Sequence, residues 1–203
     1  FQGVFGAKLL GGTGAAALNT AQKAAIVAAA AGLVGLISLF NSAGRFCWAA
    51  LSDVFGRKNT YYLFFLLGIA LYCALPTFGH HGYAALFVIS VCVILSMYGG
   101  SFSTLPAYLA DLFGTQMVGA IHGRMLTAWS AAGIAGPMLI AALRQVQLNR
   151  GVPQNLVYDR TLYLMAALLF CGLVCNLMVR PVRATKFMSD AELVRERALQ
   201  HED

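Results

Sequence analysis

The sequence predicts an all-α integral membrane protein with five transmembrane helices. Of its 203 residues, 59% are hydrophobic and only 11% are charged, whereas about a quarter of the residues of a soluble domain are charged. The mean hydropathy is +0.71. The charged residues fall in clusters between apolar stretches that are long enough to cross a bilayer. Lipid is therefore the solvent that suits the surface of this chain.

Five apolar windows of about 20 residues or more define the helices. Each window has to be helical, because lipid offers no hydrogen-bond partner to a free backbone amide. The windows cover residues 24–50, 61–78, 83–109, 119–143 and 161–179. We predict that they form one bundle over residues 24–180, after an external loop (1–23) and before a cytoplasmic tail (181–203). Within that tail, Ser189 and Glu192 predict the capping box of a short surface helix.

Small residues recur at four-residue spacing in the pairs Ala28 with Gly32, Gly119 with Gly123, and Ala132 with Gly136. This spacing lets the backbones of two helices approach closely in a membrane. Alanine and glycine are abundant here, so chance alone is the alternative explanation for any single pair.

The orientation follows from Lys and Arg near the ends of the spans, because cytoplasmic loops carry an excess of them. One side of the predicted bundle has Arg45, Arg57, Lys58, Arg124, Arg180, Arg183 and Lys186. The other side has Lys23, Arg144, Arg150 and Arg160, with Lys8 further away. We therefore expect the loop at Arg57 and the C-terminal tail to be cytoplasmic in a cell inner (plasma) membrane. With five spans, the first residue is then outside.

Several functional classes fit this sequence poorly. The net charge of +6 comes from residues at the ends of apolar segments, not from a basic patch with interleaved aromatic residues, so we expect no nucleic-acid partner. The five cysteines lie inside or at the edges of apolar segments and predict no metal or other cofactor. Asp53 and Asp111 are at the membrane edge, whereas an intramembrane aspartyl protease needs two opposed acids within it. The chain also has no Ser–His pair or phosphate loop in a suitable context, so we do not expect an enzyme.

The most informative run covers residues 41–58, NSAGRFCWAALSDVFGRK, between the first and second spans. Gly44 allows close helix packing, and Gly56 permits a sharp turn between the helices. Asp53 is near a cytoplasmic helix end, where it can face the partial positive charge of a neighbouring helix N-terminus. The cations that we expect at the membrane boundary are Arg45, Arg57 and Lys58.

This run resembles the loop signature of the major facilitator superfamily, G-x-x-x-D-x-x-G-R-R/K, which joins the second and third helices of each six-helix half. Ala49 stands in place of the leading glycine, and the other positions are filled by Asp53, Gly56, Arg57 and Lys58. A generic basic loop that obeys the positive-inside rule is the alternative interpretation.

Three further runs look like the oxalate/formate antiporter family: YGGSFSTLPAYLADLFG (98–114), GAIHGR (119–124) and TAWSAAGIAGP (127–137). The resemblance implies that the five spans are helices eight to twelve of a twelve-helix carrier, most of its C-terminal half, with the N-terminal half missing. The oxalate-exchanging branch has a Lys where this chain has Trp129. We also expect no Lys or Arg in the middle third of any span. A doubly charged anion would need such a cation, so a monocarboxylate or another small solute is favoured over oxalate.

The resemblance further implies secondary active transport by alternating access, with a small organic anion bound between two halves near the bilayer midplane. Proton coupling stays open. The third span is the expected wall of that site, because Gly99, Gly100 and Pro106 weaken its backbone hydrogen bonding. The proposed contacts are Tyr98, Ser101, Ser103 and Thr104, with Trp129 as an aromatic wall. Hydroxyl bonding to the helix backbone is the alternative role for the Ser and Thr residues.

For the cytoplasmic gate, the resemblance implies that Arg45 or Arg57 pairs with Asp111 while Asp53 reaches toward the missing N-terminal half. Arg124 flanks the same link. Simple charge pairing at the headgroup level is the alternative, and we expect His80 and His81 to be solvated turn residues. The alternative function is a small membrane subunit that transports nothing and assembles with other membrane proteins. Besides membrane lipid, the expected partners are thus the anion and the N-terminal half.

Overall fold

The computed structural model describes residues 20–153 and 156–182, and within them the chain forms five long helices and no strand. The helices are α1 (Thr20–Phe55), α2 (Arg57–His81), α3 (Ala84–Phe113), α4 (Val118–Asn149) and α5 (Asp159–Met178), with a short 3-10 turn at Thr115–Met117. All five are long and apolar enough to cross a membrane. The predicted all-α class with five spans is confirmed.

The described helices also differ from the predicted windows at several ends. Helix α1 begins at Thr20, within the predicted external loop, and continues to Phe55, five residues beyond the predicted end of the first span. Residues 1–19 of that loop lie outside the described residues. So does the tail from residue 183, with the predicted capping box at Ser189 and Glu192.

Two glycines with positive φ separate the first three helices. Gly56 has φ 83° between α1 and α2, and Gly82 has φ 78° after α2. Side chains other than hydrogen are disfavoured in this region, so glycine allows the turn at little cost. The backbone N–H of Gly82 donates to Gly79, which closes the end of α2. The predicted turn at Gly56 is therefore present.

Helices α1 and α3 form the most extensive helix–helix contact of the bundle. A Cβ added to Gly44 of α1 would collide with the backbone of Ser96 in α3. In the reverse direction, a Cβ on Gly99 would collide with the carbonyl of Asn41. Close packing at Gly44 is thus as predicted. Gly99, which we expected to help α3 bend, instead brings the two backbones together.

Hydrogen bonds hold the same contact in register. The Asn41 side-chain amide donates to the carbonyl of Leu95 at 3.3 Å. The Trp48 indole donates to the Ser96 hydroxyl at 3.2 Å. A Cβ on Gly100 would lie 2.5 Å from the Cβ of Trp48, so this glycine makes room for the indole side chain. Helix α3 runs unbroken through Gly100 and Pro106.

Polar side chains join α2, α3 and α5. The Tyr61 hydroxyl donates to the carbonyl of Ser101 at 2.7 Å, and the Tyr108 hydroxyl donates to the Asn176 side-chain oxygen at 2.8 Å. The rings of Tyr61 and Tyr108 stack with their centroids 4.9 Å apart. Such interhelical hydrogen bonds hold membrane helices together where the hydrophobic effect gives no driving force.

Helix α4 has few contacts with the rest of the described bundle. Gln147 is its one buried residue. A Cβ on Gly119, Gly123 or Gly136 would meet no described atom within 4 Å, and the same holds for Gly32 in α1. The glycines of the predicted small-residue pairs therefore make no close helix contact with the described part of the chain.

Candidate functional site

Arg45 lies deep within a membrane-length helix. It precedes the end of α1 at Phe55 by ten residues, which corresponds to about 15 Å at the helical rise per residue. The hydrocarbon core of a bilayer is about 30 Å thick, so this distance is close to half of the membrane. Arg45, which we expected at the membrane boundary, is thus well inside α1 as measured from Phe55. The apolar window ends near Ala50, but the helix continues.

Two aromatic side chains accompany Arg45 at this depth. Its guanidinium carbon lies 5.8 Å from the ring centroid of Phe102 in α3. The rings of Phe102 and Trp129 are 4.9 Å apart. Phe102 precedes the end of α3 at Phe113 by eleven residues, and Trp129 follows the start of α4 at Val118 by eleven residues. We call Arg45, Phe102 and Trp129 the mid-membrane cluster. It presents an exposed cation beside aromatic faces, a favourable cation–π arrangement.

The α3 hydroxyls that we predicted as substrate contacts donate to backbone carbonyls instead. Ser101 donates to the carbonyl of Tyr98 at 2.9 Å. Thr104 donates to the carbonyl of Gly100 at 3.0 Å and is only 2% exposed. This is the back-bonding that Ser and Thr commonly adopt in helices. A substrate could reach Thr104 only after a rearrangement of α3.

Ser103 has a different role, because it also touches α1. Its hydroxyl lies 2.9 Å from the carbonyl of Gly100 and 3.0 Å from the carbonyl of Arg45. The bond to Arg45 ties the backbone at the guanidinium-bearing residue to α3. Ser103 therefore helps to position the mid-membrane cluster.

Tyr98 and Ser101 line a cavity of about 270 Å³ between α2, α3 and α5. Its wall includes Tyr61 and Tyr72 from α2 and Leu169 from α5, but not Trp129. The wall predicted from the sequence is thus divided between two places. Tyr98 and Ser101 belong to the cavity, whereas Trp129 belongs to the mid-membrane cluster.

A second charged group lies at the C-terminal end of α1. The Arg57 guanidinium contacts Asp53 Oδ1 at 2.9 Å and Asp111 Oδ2 at 3.0 Å. Both carboxylates are largely exposed, with side-chain exposures of 63% for Asp53 and 52% for Asp111. One cation at the start of α2 therefore joins the ends of α1 and α3. We call these three residues the Arg57 cluster.

The structure distinguishes between the two arginines proposed as partners of Asp111. Arg57 makes the contact, while Arg45 is in the mid-membrane cluster. Arg124, in the second turn of α4, is exposed and has no ion pair with a described residue. The sequence alone could not separate these options, because both arginines are within one short run and the depth of each depends on where α1 ends.

Lys58 binds a partner that the sequence did not indicate. Its ammonium donates to the backbone carbonyl of Val179, just beyond α5, at 2.8 Å, and it lies 5.9 Å from the ring centroid of Tyr62. Consecutive residues on a helix point about 100° apart, so Arg57 and Lys58 face different neighbours. A backbone carbonyl 121 residues away carries no signature in the sequence.

At the opposite end of the bundle, the two histidines that we expected to be solvated have partners. His80 Nε2 lies 2.9 Å from Asp159 Oδ2, which joins the end of α2 to the start of α5. His81 Nδ1 lies 2.9 Å from the carbonyl of Thr77, and its ring stacks on Tyr83. The side chains of both histidines are nevertheless exposed on the surface of the bundle.

The described chain is thus a multi-pass bundle of membrane-length helices packed through glycines, with an Asp-x-x-Gly-Arg turn between two of them. The chain belongs to the Major Facilitator Superfamily, whose family profile matches residues 4–198. It is also 30% identical over 110 residues to the oxalate:formate antiporter of Oxalobacter formigenes. That match covers 54% of this chain and 26% of the antiporter, so the chain matches about a quarter of that protein's length. No solved structure shows significant similarity to the chain.

Proposed function

We propose that this chain is part of a secondary active transporter that carries a small monocarboxylate and binds it at Arg45. The observation that carries the proposal is the position of Arg45 ten residues, or about 15 Å, before the end of a membrane-length helix, beside Phe102 and Trp129. A cation at this depth is costly. Its retention is explained if it binds an anion during the transport cycle.

The surroundings of Arg45 support an anionic ligand. No Asp or Glu among the described residues pairs with it, although both Asp53 and Asp111 pair with Arg57. The side chain is exposed on the bundle surface, so a ligand can reach the guanidinium. A guanidinium binds a carboxylate through two parallel, charge-assisted hydrogen bonds. A carboxylate would therefore supply the countercharge that the described chain lacks.

The composition of the mid-membrane cluster favours one carboxylate over two. Arg45 is its one cation, and the remaining members are the rings of Phe102 and Trp129. The other described Lys and Arg residues lie within about six residues of a helix end. A dianion such as oxalate would leave its second charge against aromatic rings, which is unfavourable in a low-dielectric site. A monocarboxylate leaves only its small apolar end there.

Alternating access needs a gate that closes the cytoplasmic side of the carrier. We propose that the Arg57 cluster is part of this gate. Its ion pairs join the ends of three helices, so relative movement of those helices would break them. Asp53 keeps one carboxylate oxygen free of Arg57 and is well exposed. In our proposal this oxygen faces the N-terminal half of the carrier, and the Arg57 turn and the tail are cytoplasmic in the cell inner membrane.

Uptake by the full-length carrier in proteoliposomes tests the proposed site. Arg45→Gln removes the charge but keeps a polar, shorter side chain. Hydrogen bonds to charged groups are worth about 1.5–3 kcal/mol, so formate uptake at subsaturating concentration should fall roughly 10- to 150-fold. Arg150→Gln is the matched control, since this arginine is exposed at the end of α4 and has no ion pair with a described residue. Equal uptake by the Arg45→Gln and Arg150→Gln variants would refute the assignment.

A further inference from the structure

We propose that Lys58 is a positioning residue that clasps the chain leaving α5 to the cytoplasmic end of the bundle and links its position to the Arg57 cluster. Lys58 follows Arg57 directly, and together they contact three separate helix ends. The proposal concerns the path of the chain after Met178 and does not depend on the identity of the substrate.

The contact between Lys58 and Val179 satisfies a helix end. Val179 is the C-cap of α5 and has an extended backbone, with φ −66° and ψ 126°. The last carbonyls of a helix lack partners within the helix and carry a partial negative charge. The ammonium of Lys58 lies 2.8 Å from the Val179 oxygen, so it neutralises this end of α5.

A second contact returns the same segment to α3. The backbone N–H of Val182 donates to the carbonyl of Leu112 at 2.8 Å. Leu112 is in the last turn of α3, so its carbonyl has no partner further along the helix. Residues 179–182 therefore bridge the end of α5 and the end of α3, with Lys58 holding one side of the bridge.

The last turn of α3 thus holds two contacts at adjacent residues. Asp111 binds Arg57, and Leu112 binds Val182. Arg57 and Lys58 are adjacent in the first turn of α2. Suppose that α3 shifts relative to α2 so that Asp111 separates from Arg57. The Leu112 carbonyl, which accepts from Val182, would then also move away from the segment that Lys58 holds. Opening of the Arg57 cluster would therefore loosen the start of the tail.

Thiol labelling in vesicles from cells that express the protein tests this clasp. Val182→Cys is introduced after the five natural cysteines have been replaced by alanine, and the rate of modification by a charged maleimide is measured. The backbone N–H of residue 182 stays intact in this variant. A second substitution is then made in the Val182→Cys protein. Lys58→Met nearly keeps the length of the side chain but removes its charge, whereas Lys58→Arg keeps a cationic donor. Loss of a charged hydrogen bond predicts labelling about tenfold faster in Lys58→Met, with a rate near that of the parent in Lys58→Arg.

Two controls separate the clasp from a general effect of charge or folding. Arg180→Gln removes an exposed cation beside the same segment and should leave the labelling rate of Val182→Cys unchanged. The second control is Arg150→Cys at the end of α4. Its thiol should react with the maleimide at the same rate with and without Lys58→Met. An unchanged Val182→Cys rate in Lys58→Met would overturn the proposal. Faster labelling at residue 150 as well would also overturn it, because Lys58 would then support the whole bundle.

Discussion

Neutralisation of Asp53 and of Asp111 should have unequal effects on the gate. In the described chain each acid makes one ion pair with Arg57, and both acids are exposed. Such pairs contribute about 0.2–1 kcal/mol, so Asp111→Asn should change the inward-open to outward-open ratio by at most about fivefold. Asp53 has a further contribution in our account, because its second oxygen faces a helix N-terminus of the other half. That interaction adds about 0.3–2 kcal/mol.

The larger effect is therefore expected for Asp53→Asn, with a change in the ratio of about 2- to 30-fold from the helix interaction alone. Accessibility of a single cysteine on the cytoplasmic side reports the ratio in vesicles that contain the full-length carrier, and uptake is measured in parallel. Membrane insertion should stay intact in both variants, because Asp contributes little to topology. Equal shifts in Asp53→Asn and Asp111→Asn would refute a contact beyond Arg57. Unchanged uptake and accessibility in both variants would show that the cluster only occupies the membrane boundary.

Three substitutions and one control variant test the packing and the specificity. Gly99→Leu should prevent stable packing of α1 on α3, since even a Cβ would collide with the Asn41 carbonyl. In size-exclusion chromatography in detergent, this variant should lose the monodisperse peak. Gly136→Leu should keep that peak, because its side chain meets open space. Trp48→Phe removes the hydrogen bond to the Ser96 hydroxyl and should lower the free energy of unfolding by about 0.5–1.5 kcal/mol, seen as a lower Tm than that of the parent. Trp129→Lys adds a second cation to the mid-membrane cluster and should raise oxalate uptake relative to formate by tenfold or so; an unchanged ratio would show that Trp129 is not near the anion.

Local chemistry let the sequence predict the turn between α1 and α2 but not the depth of Arg45. A glycine followed by two cations predicts a break and a boundary, and Gly56 has the expected left-handed conformation. The distance of Arg45 from the end of α1 was not predicted, because hydropathy falls near Ser52 and Asp53 while the helix continues to Phe55. Hydropathy marks where apolar residues stop, which is not where backbone hydrogen bonding stops.

The tertiary contacts of single side chains were the other part that the sequence could not supply. A glycine at position 99 looks the same in the sequence whether it lets the helix bend or lets another helix pack closely. Only the position of the Asn41 backbone shows that Gly99 has the second role. Lys58 was expected only as a cation at the membrane boundary, whereas in the structure it donates to a backbone carbonyl 121 residues away. The Asp111 pairing was narrowed to two arginines by the family resemblance, and the packing of α3 against α2 selected Arg57.

Binding of a monocarboxylate to the purified full-length carrier tests the central claim most directly. Titration calorimetry with formate should give a dissociation constant that rises by at least about tenfold in Arg45→Gln, because a charge-assisted contact is lost. The Arg150→Gln carrier should bind formate as the parent does. If Arg45→Gln binds formate with the affinity of the parent, the anion is held elsewhere and the mid-membrane cluster is not its site.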